Sequence, residues 1–446
     1  MTRAALKALP IGMVTVLSMG VLMSHADVAY RLRGGLPFGA SNLLLAVLAC
    51  LTAGTLLRAL LSPSLRGRLW GAYTAQVPVI LPFLGVVLFS LLSAFVPTAN
   101  FQEGTHWVLL PLYDLLVVLL VMPLALERHR RRYLKAALLL AFLLLLGSVG
   151  MDVMRPGTFS RIEFRAAGFP TNPNGAAFVL VTLAATILDY SRVRLIDLAV
   201  LVLAGLGVLA TLSRGGTILL SLLVVSYAYV VIRRARGGPV RATGRLIMIC
   251  AVGAVGFVAM ERLMGAAIFS VQSDRLDIFR GRSEALTTED SRFAALRASW
   301  EFVQESPVLG RGSGFTYDGG TLREGPHNMY VQQWLNNGIG GLLCYIWLLG
   351  AAALLFWRRR HPPGFVFTGL MAVQSLLSHN LLEERAFLVP FGVFLMTSYI
   401  SAAKTERASK PLALFASQSL TPRSSHRVRA GVVRVRARST GSTSIH

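Results

Sequence analysis

The stretch LIDLAVLVLAGLGVLATLSRGGTILLSLLVVSYAYVVIRR, Leu195 to Arg234, consists of two apolar runs joined by Ser213-Arg214-Gly215-Gly216. Each run comes close to the ~20 residues needed to cross about 30 Å of hydrocarbon. Joined with almost no linker, they read as an antiparallel pair of helices turning at a membrane surface. Lys and Arg accumulate on the cytoplasmic side of membrane helices, and the far ends of this pair carry Arg192, Arg194, Arg233 and Arg234. The turn bearing Arg214 therefore lies on the outer side. Its glycines permit φ > 0 and a sharp reversal. The second helix starts there, so its free N–H groups and positive dipole end sit beside Arg214. A phosphate held by guanidinium and backbone together suits that arrangement. An arginine reaching up to lipid headgroups, with two glycines making the turn, accounts for it equally.

The apolar pattern extends over most of the chain. Its 446 residues are 54% hydrophobic and 15% charged, with a mean hydropathy of +0.59, whereas soluble domains carry about 25% charged residues. Hydropathy places about twelve spans, near 9–28, 36–61, 72–96, 105–126, 133–153, 173–191, 195–213, 215–232, 245–264, 327–357, 363–382 and 385–403. The predicted fold is an all-α polytopic membrane protein. With the N-terminus inside, 29 of the 44 basic residues are cytoplasmic against 4 acidic ones, leaving 15 basic and 16 acidic residues outside. The net charge of +23 is thus nearly all cytoplasmic. It reports topology and contact with anionic lipid, not nucleic acid as a partner.

Thr2 to Lys7, the first apolar run and Ser24-His25-Ala26 have the shape of a cleaved signal peptide. The run is nonetheless long enough to span, and other spans follow it. Cys50, Cys250 and Cys344 each sit in an apolar run, with no partner at metal or redox spacing. Asp114 is the one carboxylate placed mid-span. Such acids are costly and point to function, although a hydrogen bond to Tyr113 or a neighbouring helix explains it too.

Residues 1–150 form a first series of about five spans, and 151–403 a second region holding one large outer loop, 265–326. A shorter outer loop runs from Asp152 to Asn172. The basic, Ser- and Thr-rich segment 404–446 cannot bury enough apolar surface to fold alone, and reads as a disordered tail on anionic headgroups. In the large loop, Thr287-Thr288-Glu289-Asp290 reads as a helix start. Phe293, Leu296, Trp300 and Val303 follow at helical spacing, so an amphipathic helix is expected there, with Arg292 and Arg297 bordering its apolar stripe. The glycine-rich stretch Gly310 to Gly320 returns the chain to the membrane.

Two further outer sites carry chemistry. Arg165 with Gly168-Phe169-Pro170-Thr171-Asn172-Pro173-Asn174-Gly175 leads into a span, where Asn beside Pro is ordinary helix capping. His327, between Pro326 and Asn328, stands at the outer start of another span. A neutral imidazole there can take a proton from a hydroxyl near pH 7, with Asn328 placed to fix its tautomer. A polar interface residue is the plainer account. His379-Asn380 with Glu383, Glu384 and Arg385 forms another outer cluster whose charges can simply pair. No Asp-x-Asp pair occurs in the outer loops, and no His-Glu-x-x-His, Cys-x-x-Cys or phosphate-loop motif occurs anywhere. Neither a metal nor a nucleotide cofactor is indicated.

The ordered set of these motifs resembles the O-antigen ligase and polymerase superfamily of bacterial envelope glycan assembly. The matching elements are Arg165 with Asn172-Pro173-Asn174, Ser213-Arg214-Gly215-Gly216, and Arg292 before Trp300. They continue with Pro307-Val308-Leu309-Gly310-Arg311-Gly312, Pro326-His327-Asn328 and Gly338-Ile339-Gly340-Gly341-Leu342. The resemblance covers about residues 150–390, each motif being short and the order specific. It implies a GT-C-like inner-membrane glycosyltransferase with its active site facing the periplasm. The implied donor is a glycan on undecaprenyl diphosphate. The acceptor is lipid A-core in ligases and another lipid-linked repeat unit in polymerases. Carried onto this chain, the diphosphate falls to Arg214 and Arg292, with Arg297 close by and Arg165 counted with them, and acceptor activation to His327. Ser213, Gly215, Gly216, Asn328 and His379 are supporting residues, and the reaction is metal-independent. Single-step displacement at the anomeric carbon inverts its configuration. One large outer loop favours ligase over polymerase. A polysaccharide or lipid transporter is the competing class, but transporters place their unusual residues near the midplane, and here they gather at the outer ends.

Overall fold

In the computed structural model the chain is all-helical, with no strand among the described residues, which are 3–32, 40–96, 101–162, 165–234, 244, 247, 286–315, 325–378, 381–382 and 384–419. The helices used below are α1 Arg3–Met23, α2 Ala26–Leu32, α3 Ala40–Leu61, α4 Pro63–Thr74, α5 Val77–Ser93, α6 Phe101–Leu126 and α7 Arg128–Met154. They continue as α8 Pro173–Ile187, α9 Leu195–Thr211, α10 Arg214–Arg234, α11 Leu286–Glu305, α12 Met329–Arg358, α13 Pro362–Leu377 and α14 Arg385–Ser419. Each hydropathic segment falls on one or two of them except 245–264, of which only residue 247 is among the described residues.

Six helices among the described residues are long and apolar enough to cross a membrane: Asn42–Leu61, Val108–Leu126, Arg128–Met154, Arg214–Arg234, Met329–Arg358 and Arg385–Glu406. The pair α4 and α5, bent by 64°, makes a seventh if taken as one span. Gly12–Met23, Pro173–Ile187, Leu195–Thr211 and Pro362–Leu377 are apolar but shorter. Leu57, Leu60, Val225, Leu343 and Trp347 face outward, a level of apolar exposure that a soluble surface does not tolerate.

Three predicted spans are interrupted, each for a local reason. The first, 9–28, ends at Met23 because His25 takes left-handed backbone with φ 65 before α2 begins. The third, 72–96, starts only at Val77, since Pro78 in the first turn of α5 lacks the N–H that a continuous helix needs. Gln76 secures the bend by donating from Nε2 to the Leu395 carbonyl at 2.8 Å. The tenth, 327–357, is broken at Gly338, with φ 66 and ψ −172.

One apolar cluster unites most of the bundle, with α7 packed on α1 and α8, α12 on α5 and α13, and α10 on α8 and α13. The loop helix α11 docks on α12. Its buried face is Ser299 and Val303, with Ala298 and Phe302 beside them, while Phe293 of the predicted stripe is exposed. Ser299, satisfied by the Ala295 carbonyl at 2.7 Å, is small enough to bring the helix close. Trp300 then meets Trp334 edge to face at 5.3 Å between centroids.

Contact clustering separates Met1–Ala402 from Ala403–His446. Within the second unit α14 stays helical to Ser419, past Lys404 where the sequence suggests an unstructured tail. Ala402, Ala403, Lys404 and Glu406 are strong helix formers.

The basic connections touch in pairs. Arg58 meets Glu127 at 2.7 Å and Arg130 donates to the Leu51 carbonyl at 2.8 Å. Arg359 donates to the Ala75 carbonyl at 2.6 Å, and Arg234 to that of Arg360 at 3.2 Å. Beside them His361 caps α13: its Nδ1 accepts from the Gly364 N–H at 3.1 Å, so Nε2 carries the proton toward Thr397 Oγ1 at 3.3 Å. Burial, with Arg234 and Arg359 nearby, lowers its pKa from 6.5 to about 4. A folded pKa below the unfolded one means that the unfolded chain takes the proton first as pH falls. Stability is therefore full above about pH 6.5 and drains between there and pH 4, by at most roughly 3 kcal/mol. In detergent, the unfolding midpoint of wild type should fall across that window. His361→Asn, which keeps a cap acceptor, should lack this part of the slope; an unchanged slope in the variant would remove His361 as its source.

Candidate functional site

The Ser213 turn is built differently from the way its glycines suggest. The reversal is made by Leu212, left-handed at φ 49, and neither Gly215 nor Gly216 has positive φ. A Cβ on Gly216 would sit 2.5 Å from Ala177 Cβ, and one on Gly215 would sit 3.0 Å from the Phe178 ring. The two glycines thus let α10 approach α8. Ser213 is buried, and its Oγ accepts from the Gly216 N–H at 3.2 Å. Arg214, half-buried, is the first residue of α10.

Arg165 ties this turn to the start of α8. Its Nε donates to the Thr211 carbonyl at 3.0 Å and its Nη2 to Asn174 Oδ1 at 2.8 Å. The Ala166 N–H reaches the Ala210 carbonyl at 3.1 Å. Behind it, the loop is wound round Asp152, a buried carboxylate accepting the N–H groups of Phe159, Ser160 and Ala167 at 2.8–3.0 Å and of Gly168 at 3.4 Å. Asn172 caps α8 by accepting the Asn174 and Gly175 N–H groups at 2.9 and 3.4 Å. Sequence therefore places a diphosphate ligand where geometry shows a brace between two motifs.

His327 adopts left-handed backbone, φ 48, one residue before Asn328, the cap of α12. Asn328 Oδ1 accepts the Tyr330 and Val331 N–H groups at 3.0 and 3.2 Å. That oxygen serves the helix end, not the His327 ring.

A cavity of about 220 Å³ joins these parts. Its wall holds His327, then Pro170, Asn172, Asn174 and Gly175 from the α8 entrance. Phe178 and Leu377 complete the side nearest Gly215, whose absent Cβ would lie 3.5 Å from Leu377. Arg214 is not itself in the cavity wall; the turn that carries it packs through Gly215 against Phe178 and Leu377, which are. The remaining wall is His25, Gln374, Ser378 and Glu384, of which only Glu384 belongs to a polar cluster that the sequence singles out at an outer turn. Gln374 is buried, and its Oε1 has no hydrogen-bond partner. Glu384 Oε1 lies 2.6 Å from His25 Nε2. Burial alone pushes the Glu384 carboxyl up, but His25, Arg385 and the Ala386 N–H outweigh it and hold the group below its ordinary range.

The other candidates stand elsewhere. Arg292 belongs to α11, as does Arg297, which is exposed and 3.9 Å from Glu301; Arg297 is not in the cavity wall. His379 lies outside the described residues. Asp114 is fully buried and faces a second, smaller hollow of about 30 Å³ with Ser90, Ser313, Gln332, Asn336 and Asn337.

Two of the sequence motifs clasp each other beside that hollow. At the Gly338 break, the Leu335 and Asn336 carbonyls accept from the Arg311 and Gly312 N–H groups at 2.7 and 3.1 Å, and Ile339 N–H reaches the Pro307 carbonyl at 3.0 Å. A Cβ at Gly338 would lie 1.9 Å from the Val308 carbonyl oxygen, so only glycine fits. Arg311 is fixed by Glu305 and stands over the Phe302 and Phe315 rings at 5.5 and 5.9 Å.

Residues 199–346 match the family model described as O-antigen ligase. The matched segment contains the Ser213 turn, α11, the Pro307 loop and His327, so the resemblance read from the motifs is shown for an O-antigen ligase-like region. No curated protein matches the chain.

Proposed function

We propose that the protein is an inner-membrane glycosyltransferase that moves a glycan from undecaprenyl diphosphate to an acceptor hydroxyl on the periplasmic side, and that the reaction is O-antigen ligation to lipid A-core. The observation that carries this reading is the cavity in which His327 meets the start of α8, with the Arg214 turn, at a helix N-terminus, packed against its wall residues Phe178 and Leu377. Lipid diphosphate is already a good leaving group, so catalysis consists of stabilising charge on its bridging oxygen and removing the acceptor proton. Guanidinium and helix N-terminus supply the first at a low-dielectric boundary. The imidazole of His327 supplies the second. In this reading Arg165 positions the Arg214 turn through Thr211 and Asn174, while Arg292 and Arg297 on α11 approach the donor from the loop. A bundle of about twelve spans, both termini inside, puts the cavity on the outer face.

Deletion in the native host, followed by lipopolysaccharide profiling, tests the reaction. Ligation predicts core without attached glycan and long lipid-linked chains accumulating. Single repeat units attached to core would mean polymerisation instead, and an unchanged profile would remove both.

A further inference from the structure

His25 brings the first 150 residues into the site. The break after α1 gives it left-handed backbone, φ 65, and its ring meets Glu384 at 2.6 Å in the wall of the His327 cavity. Next to this contact, Arg385 holds Asp27 through two bonds of 2.8 and 2.9 Å, both partners buried. That two-pronged pair already fastens the start of α2 to the start of α14. The His25–Glu384 contact adds little as a fastener. It differs in kind, since it joins an imidazole to a carboxylate, and both line the cavity.

We propose that His25, held by Glu384, is a proton-relay residue that receives the acceptor proton from His327 and passes it to outer water. This rests on the transferase reading. In the transfer step the acceptor O–H bond breaks and its electron pair forms the new bond to the anomeric carbon. The bond from that carbon to the diphosphate oxygen breaks, and its pair leaves with the diphosphate. The proton goes to His327, then through cavity water to the His25 imidazole, where Glu384 balances the charge. With Nε2 turned to Glu384, Nδ1 is the atom that gains it. Its release to solvent resets both histidines. Among the described residues, the charged or titratable groups around His25 are Glu384, Arg385 at the start of α14, Asp27 from α2 and His327 across the cavity. Asp152, further along α7, is committed to loop amides.

The test uses full-length protein in proteoliposomes with a diphosphate-linked glycan donor and its acceptor. His25→Gln keeps a donor toward Glu384 but cannot carry a proton. Single-turnover transfer should stay near wild type, while steady-state turnover falls about tenfold or more and recovers with added imidazole buffer. Glu384→Gln removes the counter-charge, so steady-state turnover should fall as in His25→Gln while single-turnover transfer holds. Equal loss in single and multiple turnover without imidazole rescue would mean a structural tie and overturn the relay. Unchanged steady-state turnover in His25→Gln would overturn it too. An inactive wild type would remove the transferase reading and the relay with it; an active wild type with an indifferent His25 removes the relay alone.

Discussion

Arg214→Lys should transfer glycan at about one-hundredth of the wild-type rate or less, because one preorganised donor at a developing charge is typically worth ~3 kcal/mol. The substitution keeps the charge and loses the planar fork that grips two phosphate oxygens at once. At the first position of α10, Lys preserves the helix N-terminus and its dipole, so whatever is lost belongs to the guanidinium. Gly215 and Gly216 hold that position against Phe178 and Ala177, and Ser213 takes one of the first-turn N–H groups. The arginine therefore stands on a rigid base, with little freedom to make up for a shorter or blunter side chain. Arg214→Ala should be worse still and should bind the lipid-linked donor weakly. Arg297→Ala is the graded comparison: exposed and 3.9 Å from Glu301, it approaches the donor only from the loop and should cost far less than Arg214→Ala. Wild-type donor affinity in Arg214→Ala, at normal expression and unfolding midpoint, would end the diphosphate assignment.

What the sequence conveys about this molecule is local. Apolar runs long enough to cross a membrane name the helices, and the expected starts at 173, 195, 215, 363 and 385 fall within one residue of Pro173, Leu195, Arg214, Pro362 and Arg385. Breaks inside runs are harder. Pro78 is visible in the sequence, but the bend it makes depends on Gln76 finding the Leu395 carbonyl more than 300 residues away. Gly338 sits in an obvious glycine run, yet its backbone is decided by the Val308 carbonyl pressing against it. The Ser213 turn shows the same limit from the other side. Its glycines advertise conformational freedom, whereas the structure uses their missing side chains and leaves the left-handed residue to Leu212.

The site divides in the same way. His327, Arg214 and the Asn172 to Gly175 segment are legible because each is a short motif at a helix start. Arg165 is legible as a cation but not as a brace, since Thr211 and Asn174 become its neighbours only after folding. His25, Gln374 and Glu384 come from three separate connections or helices and share no motif. Glu384 is visible in the polar cluster with His379, Asn380, Glu383 and Arg385, but Ser24-His25-Ala26 reads as the end of a signal peptide, and nothing in the sequence joins the two.

Replacing His327 by Ala should abolish transfer and leave donor binding largely intact. A positioned base contributes roughly 10² to 10⁴ in rate, and the diphosphate contacts belong to the arginines. The residue is held for this task by its backbone: left-handed φ 48 turns it out of the α12 axis into the cavity wall, while Asn328 takes over the helix cap. Since Asn328 Oδ1 is engaged with two N–H groups of α12, Asn328→Asp should retain both the cap and most of the activity. A role for Asn328 in orienting the ring would instead make that variant as poor as His327→Ala. Raising the pH ionises a larger share of the acceptor hydroxyl without help from a base, so His327→Ala should recover partly toward alkaline pH while wild type does not gain. The measurement is single-turnover transfer in proteoliposomes across pH, with donor binding followed separately. If His327→Ala transfers at the wild-type rate, or loses the donor outright, the general-base assignment fails, and the proton must leave by another residue of the same cavity wall.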